Sequence, residues 1–156
     1  MAGRGAGIIV SGDPQGKFLE GIIDGTPKPG TAMTVKAATE PVGGSFTWEP
    51  FAPADGAHVV TAILLPDHMQ GKLYSDAYVD ADRCFLYCPA MGELLNILLE
   101  NISGTADSFA IGDLVSPNSG TGKFIANSSH AKPAFTVMQT KSALTADDWC
   151  LGMYNG

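Results

Sequence analysis

A Gly-Thr-Gly-Lys stretch at residues 120–123 is the part of the sequence that most resembles a phosphate-binding motif. The phosphate loop requires a glycine five residues before the glycine that precedes the lysine, then a serine or threonine after the lysine. This chain has Pro117 and Phe124 at those two positions, and the residues after Phe124 do not favour a helix whose N-terminus would hold phosphate. We therefore predict that Ser116–Gly122 is a hairpin loop, in which proline fixes φ and Asn and Gly permit positive φ.

The other residues with catalytic or metal-binding potential are also not arranged as a known site. The three histidines, at 58, 68 and 130, form no H-x-H or H-E-x-x-H pattern. Asp67-His68 has no G-x-S-x-G nucleophile motif to accompany it, so we expect His68 to be a solvated loop residue. Asp80 and Asp82 lack the further oxygen ligands of a calcium loop and are expected to cap a turn. The sequence predicts no catalytic centre, no metal site and no cofactor.

Three cysteines, Cys84, Cys88 and Cys150, are an odd number in a chain whose first residues do not resemble a signal peptide. We predict that all three are free thiols that bind no metal. Cys84 and Cys88 are four residues apart, so a strand would direct both side chains to one face.

Composition and charge exclude several classes of partner. The chain has 156 residues with 19 glycines and 10 prolines, a proportion typical of many short strands joined by turns. Its net charge of −7 argues against nucleic acid and against anionic membranes. The length suits one domain with its own core.

Alternating apolar residues recur about every dozen residues along most of the chain, which predicts an all-β barrel or sandwich. We divide it into an N-terminal arm, residues 1–17, and a β-domain, residues 18–156. The arm is rich in glycine and is expected to be flexible, with Arg4, Ile8, Ile9, Val10 and Lys17 as contacts to a partner or a neighbouring subunit. Predicted strands include 45–51, 73–79, 83–88, 109–115, 123–126 and 149–154. No internal repeat is visible.

Residues 93–101 are ambiguous. Their leucines fall at helical spacing, but a strand that directs Leu95, Ile97 and Leu99 inward is also possible. Periodicity alone favours the helix.

Several turn motifs occur in an order that resembles the head decoration (cement) proteins of tailed bacteriophages. These motifs lie at Pro29–Val35, Gly71–Leu73, Ala77–Cys84, Pro89–Glu93, Ile111–Val115 and Gly120–Lys123. The resemblance covers about residues 28–154. It departs from the family at Asp80-Ala81-Asp82, where the family prefers a glycine turn, and at residues 40–56, a segment whose role has no counterpart in the family. It implies a small β-barrel or β-tulip without catalytic residues, often trimeric, on the outer surface of the capsid. It also implies a strand at residues 93–101, and we predict a strand there.

From this resemblance we expect a non-enzymatic protein that binds the major capsid protein, forms a homotrimer and stabilises the head. It would be made in the host cytoplasm and reside on the outside of the virion. The alternative is a β-domain that binds a small ligand or carbohydrate, with Trp48, Tyr74 and Tyr78 as a stacking platform.

Overall fold

The computed structural model describes residues 8–10, 13–36, 45–52, 62–102, 107–126 and 134–156. Within these residues the chain is all-β, as predicted, and the only helical element is a three-residue 3-10 helix at His68–Gln70. The strands are three to seven residues long. They build two small barrels rather than one.

The first barrel is built from the N-terminal half of the chain. Its strands are β1 (Lys17–Ile23), β2 (Ala32–Val35), β3 (Thr47–Pro50), β4 (Ala62–Leu65) and β5 (Arg83–Cys88). They close in the order β1, β3, β2, β4, β5. β1 and β3 are parallel, and the other neighbouring strands are antiparallel.

The second barrel and a short ribbon follow in the C-terminal half. In chain order the strands are β6 (Leu94–Leu99), β7 (Asp107–Phe109), β8 (Leu114–Pro117), β9 (Phe124–Ala126), β10 (Phe135–Val137), β11 (Lys141–Leu144) and β12 (Asp148–Tyr154). β6, β9, β8, β10 and β12 close the barrel in that order, with β6 parallel to β9. β7 and β11 pair as a separate two-stranded sheet.

The two barrels share one topology and one register. β1 to β5 of the first barrel correspond to β6, β8, β9, β10 and β12 of the second. When Cys84 is set equivalent to Cys150, the partner residues of all five strand pairs coincide. The two halves of the chain therefore repeat one strand order and one register without repeating their sequence. For this reason the sequence analysis did not predict the repeat.

Glycine occupies different strands in the two barrel interiors, which hides the repeat in the sequence. In the first barrel, a Cβ on Gly21 would lie 2.3 Å from Cδ1 of Trp48. The equivalent of Gly21 in the second barrel is Ile97, and there Gly152 leaves the space, since its Cβ would lie 3.2 Å from Cδ1 of Phe135. In a close-packed barrel interior a large side chain needs a small neighbour. In the first barrel β1 supplies the small residue, and in the second barrel β12 supplies it.

β4 and β5 contribute side chains to two hydrophobic clusters. Leu64 and Leu86 point into the first barrel, whereas Ile63 and Tyr87 belong to the cluster that fills the second barrel. This division follows from the alternation of side chains along a strand. The wall of the first barrel is therefore also part of the core of the second.

The Gly-Thr-Gly-Lys stretch lies in the hairpin loop between β8 and β9, as predicted, although Ser116 and Pro117 belong to β8 and not to the loop. This loop joins the two barrels. The carbonyl oxygen of Gly122 accepts from the N–H of Ala32 at 2.8 Å, and the N–H of Gly120 donates to the carbonyl of Phe51 at 2.7 Å. Gly122 has φ +66°, and a Cβ there would lie 2.3 Å from the carbonyl oxygen of Ala32. Glycine is needed at this position both for conformation and for the close approach.

The strand predicted within residues 93–101 is confirmed as β6. The leucines of β6 fall at helical spacing because Leu98, on the outer face of the strand, is buried as well as the inward residues. The first barrel covers Leu98, and the N–H of Leu98 donates to the carbonyl of Gly30 at 3.1 Å. A strand covered on both faces has apolar residues on both, so it carries no alternation.

Other strand predictions were wrong. Residues 73–79 form turns that lead into β5, and the hydroxyl of Tyr78 donates to the carbonyl of Leu65 at 2.8 Å. Residues 109–115 do not form one strand, because a turn at Ile111-Gly112, with φ +96° at the glycine, separates β7 from β8. β11 was not predicted at all.

Candidate functional site

Residues Ile8–Val10 lie along the edge of β6. Ile9 forms an antiparallel bridge with Leu95. The N–H of Val10 donates to the carbonyl of Leu94 at 2.9 Å, and the carbonyl of Ile8 accepts from the N–H of Asn96 at 2.7 Å. The sequence predicted a flexible arm here; the structure instead shows these residues extending the sheet of the second barrel.

The predicted contact residues are therefore distributed over different environments. Ile8 is fully buried in the hydrophobic cluster of the second barrel, and Ile9 packs against that cluster. An apolar segment gains more from this burial than from solvent exposure, so the side chain of Ile8 cannot contact a partner in this conformation. Val10 is 44 % exposed and Lys17, the first residue of β1, is exposed. Arg4 lies outside the described residues.

A buried carboxylate holds the next part of the N-terminal segment. Glu93 accepts hydrogen bonds from the hydroxyl of Tyr87 at 2.7 Å, from the N–H of Ala90 at 2.6 Å and from the N–H of Gln15. The N–H of Gly16 donates to the same hydroxyl of Tyr87 at 2.8 Å. Glu93 therefore connects the N-terminal segment to the turn between β5 and β6.

These hydrogen bonds decide the ionisation of both side chains. Burial by itself raises the pKa of Glu93, but the hydrogen bonds from Tyr87, Ala90 and Gln15 stabilise the carboxylate and hold its pKa below its usual value of 4.5. Burial and the adjacent carboxylate raise the pKa of Tyr87 far above its usual range. Glu93 is therefore ionised at neutral pH and Tyr87 is a hydrogen-bond donor.

An uncharged row of side chains crosses the outer face of the second barrel. Strand pairing places Leu114 beside Thr136, Thr136 beside Met153, and Met153 beside Leu94. Val10 follows beside Leu94 at the end of this row. Leu114 and Val10 are each 44 % exposed, and the other three are partly exposed. We call these five residues the apolar row.

A second apolar surface lies on the first barrel. A groove of about 470 Å³ is lined by the outer face of β1 and β5 and by the 3-10 helix. Phe18 and Met69 at this groove are 49 % and 84 % exposed, and Lys17 immediately precedes Phe18. The remaining lining residues are Leu19, Glu20, Leu65, Pro66, His68 and Phe85.

The residues considered for catalysis or metal binding either have structural roles or are not gathered into one site. Asp67 accepts from the N–H groups of Met69 and Gln70 and caps the 3-10 helix that carries the exposed His68. Asp80 accepts from the N–H of Gly25 at 2.7 Å. His58 and His130 lie outside the described residues. Across the described parts of the chain, no three His, Cys, Asp or Glu side chains come close enough to hold a metal ion.

The three cysteines are free thiols, as predicted. Cys84 and Cys88 both face the interior of the first barrel, and burial raises the pKa of Cys84 to about 12. Burial also raises the pKa of Cys150. These two thiols are protonated and shielded, which is typical of structural cysteines.

The aromatic platform predicted for the alternative function does not form. Trp48 and Tyr78 are each only 6 % exposed, because both fill the first barrel. Tyr74 instead packs edge-on against Trp149, with ring centroids 5.1 Å apart. The indole N–H of Trp149 donates to the carbonyl of Pro29 at 2.9 Å, so this pair joins the two barrels.

Among the described residues, no helix is long and apolar enough to cross a membrane. A comparison with models of known protein families finds none that matches the chain, and a comparison with curated proteins finds no match either.

Proposed function

We propose that this protein is a non-enzymatic decoration protein that binds the outer surface of a bacteriophage head and stabilises it. The observation that carries the proposal is the pair of exposed apolar surfaces, the apolar row and the groove, on an otherwise acidic all-β chain. Exposed apolar patches on a soluble protein typically mark sites of protein–protein contact. The order of turn motifs that resembles cement proteins supplies the class of partner.

In this proposal the groove on the first barrel contacts the major capsid protein. Phe18 and Met69 offer adaptable apolar contacts at its rim, and Lys17 provides a cation beside it. The protein assembles as a homotrimer on the head, made in the host cytoplasm and attached outside the capsid. No nucleic acid or membrane takes part.

The test is co-sedimentation of the protein with empty heads, followed by measurement of the temperature at which the heads burst. The protein should sediment with heads and raise that temperature. Met69→Glu should weaken binding, because it adds a charge to the groove, whereas Met91→Glu should not. Met91 is the matched control: it is 77 % exposed and lies on the turn between β5 and β6.

Two results would count against the proposal. Full-length protein that stays in the supernatant at all concentrations would exclude head binding by this chain. Equal binding by the Met69→Glu and Met91→Glu proteins would show that the groove is not the contact, even if the protein binds heads.

A further inference from the structure

The shared register of the two barrels allows their outer faces to be compared residue by residue. The row Leu114, Thr136 and Met153 of the second barrel corresponds to Ala32, Ile63 and Tyr87 of the first. The first-barrel residues are fully buried and belong to the cluster that fills the second barrel. In the first barrel this face is therefore the packing surface between barrels.

The same face of the second barrel has no such cover among the described residues. Leu114 is 44 % exposed where Ala32 is fully buried, and Met153 is partly exposed where Tyr87 is fully buried. Met138, next to this row beyond Thr136, is also exposed. The chain thus carries two equivalent faces, one covered by a barrel of the same topology and one open.

The absence of charge from the open face is what allows a second copy of this acidic chain to pack there. The protein has a net charge of −7, so two copies repel each other over most of their surfaces. The apolar row carries no charged residue at any of its five positions. Copies that meet through this face bring no charged side chain of the row into contact.

We propose that the apolar row is the surface on which a second copy of the chain packs, in the way that the equivalent face of the first barrel packs within the chain. This inference rests on the self-association part of the proposed function and not on binding to heads. Its test uses the free protein, so its failure and the failure of head binding can be distinguished.

The first test is oxidation of methionines in the unaltered protein, followed by mass spectrometry. Oxidation by dilute peroxide follows exposure of the thioether. As the protein concentration is raised, oxidation of Met138 and Met153 should slow severalfold. Met69 lies at the groove of the first barrel, outside the row, and provides the internal control, so its rate should not change. Higher salt should increase the protection, because it screens the repulsion between acidic copies.

The second test is the mass in solution of the Leu114→Asp protein, measured by sedimentation over a range of concentrations. Leu114→Asp should shift the oligomer to the monomer. Val79→Asp is the matched control, because Val79 is 60 % exposed in the turns before β5 and receives the same charge. It should keep the mass of the unaltered protein.

Three outcomes would overturn the proposal. The unaltered protein could be a monomer at every concentration, or Leu114→Asp could leave the oligomer intact. Met138 and Met153 could also become protected only when heads are added, which would assign the apolar row to the capsid instead of a second copy.

Discussion

Replacing Glu93 by Gln tests the contact that holds the N-terminal segment. The carboxylate accepts from the hydroxyl of Tyr87 and from two backbone N–H groups, those of Ala90 and Gln15. An amide of the same shape has one oxygen and one NH₂, so its NH₂ must face a donor. One buried donor then loses its acceptor, and the remaining hydrogen bonds lose their charge.

The expected cost can be worked out from these contacts. Leaving a buried donor unsatisfied costs about 1–3 kcal/mol, and hydrogen bonds to a charged group are each worth about 1.5–3 kcal/mol rather than about 1. We expect Glu93→Gln to lower the free energy of unfolding by about 2–4 kcal/mol. For a chain of this size, that is a decrease in Tm of roughly 4–16 °C.

Urea unfolding at pH 7 measures the global effect, and hydrogen exchange of the amides of Val10 and Gln15 reports the local one. Both amides should exchange faster in the variant. Glu20→Gln is the control, because Glu20 is exposed and its ion pair with Arg83 at 3.7 Å is worth less than about 1 kcal/mol. A loss of stability for Glu93→Gln no larger than that of the control would refute the reasoning.

The effect should also depend on pH in a defined direction. The pKa of Glu93 in the folded protein is lower than its usual value of 4.5. Its contribution to stability is therefore fully present above that value and is lost as the pH falls through the folded pKa. The difference between the two proteins should shrink in acid and stay constant between pH 6 and 8.

Three further outcomes are expected. Gly122→Ala should lower the free energy of unfolding in urea by more than about 2 kcal/mol, because the added Cβ meets the carbonyl of Ala32. Gly120→Ala is the control: Gly120 also has positive φ but has open space around it, so the same measurement should give a loss of only about 1–2 kcal/mol. Ala81→Gly should raise the free energy of unfolding by about 0.5–1 kcal/mol, since Ala81 has φ +68°, and a decrease in Tm would contradict this. A thiol reagent should find three reactive cysteines after denaturation without reductant, whereas Cys84 and Cys150 should be unreactive in the folded protein.

Local rules of the sequence predicted the all-β class, the hairpin at Ser116–Gly122 and the last strand. Each depends on turn residues or on alternation within a few positions. The structure places Ala81 in a left-handed backbone conformation, with φ +68°. The residue types of Asp80-Ala81-Asp82 predicted a turn but not this conformation, because alanine rarely adopts it.

The features that the sequence did not predict depend on contacts between distant segments. Ile8 lies in a short apolar segment between glycine-rich stretches, and such a segment can belong to a sheet or to a flexible arm. Only the bridge between Ile9 and Leu95, on the edge of β6, shows that it belongs to the sheet. The role of Glu93 as a buried acceptor was not predicted, because its donors Gln15 and Tyr87 are contributed by other segments. Trp48 and Tyr78 are indistinguishable by type from surface aromatics, and their burial follows from barrel closure.

The shared wall formed by β4 and β5 determines how the protein responds to heat. Unfolding the first barrel removes Ile63 and Tyr87 from the second cluster, and unfolding the second exposes the outer side of that wall to water. Neither barrel therefore has a stable partly unfolded form with the other intact. A calorimeter should record a single transition whose van't Hoff and calorimetric enthalpies agree. Closure of the first barrel requires β5 to pair with β1 across more than sixty residues, so folding is expected to be slow. Once the wall of β4 and β5 is in place, we expect both barrels to persist or unfold together.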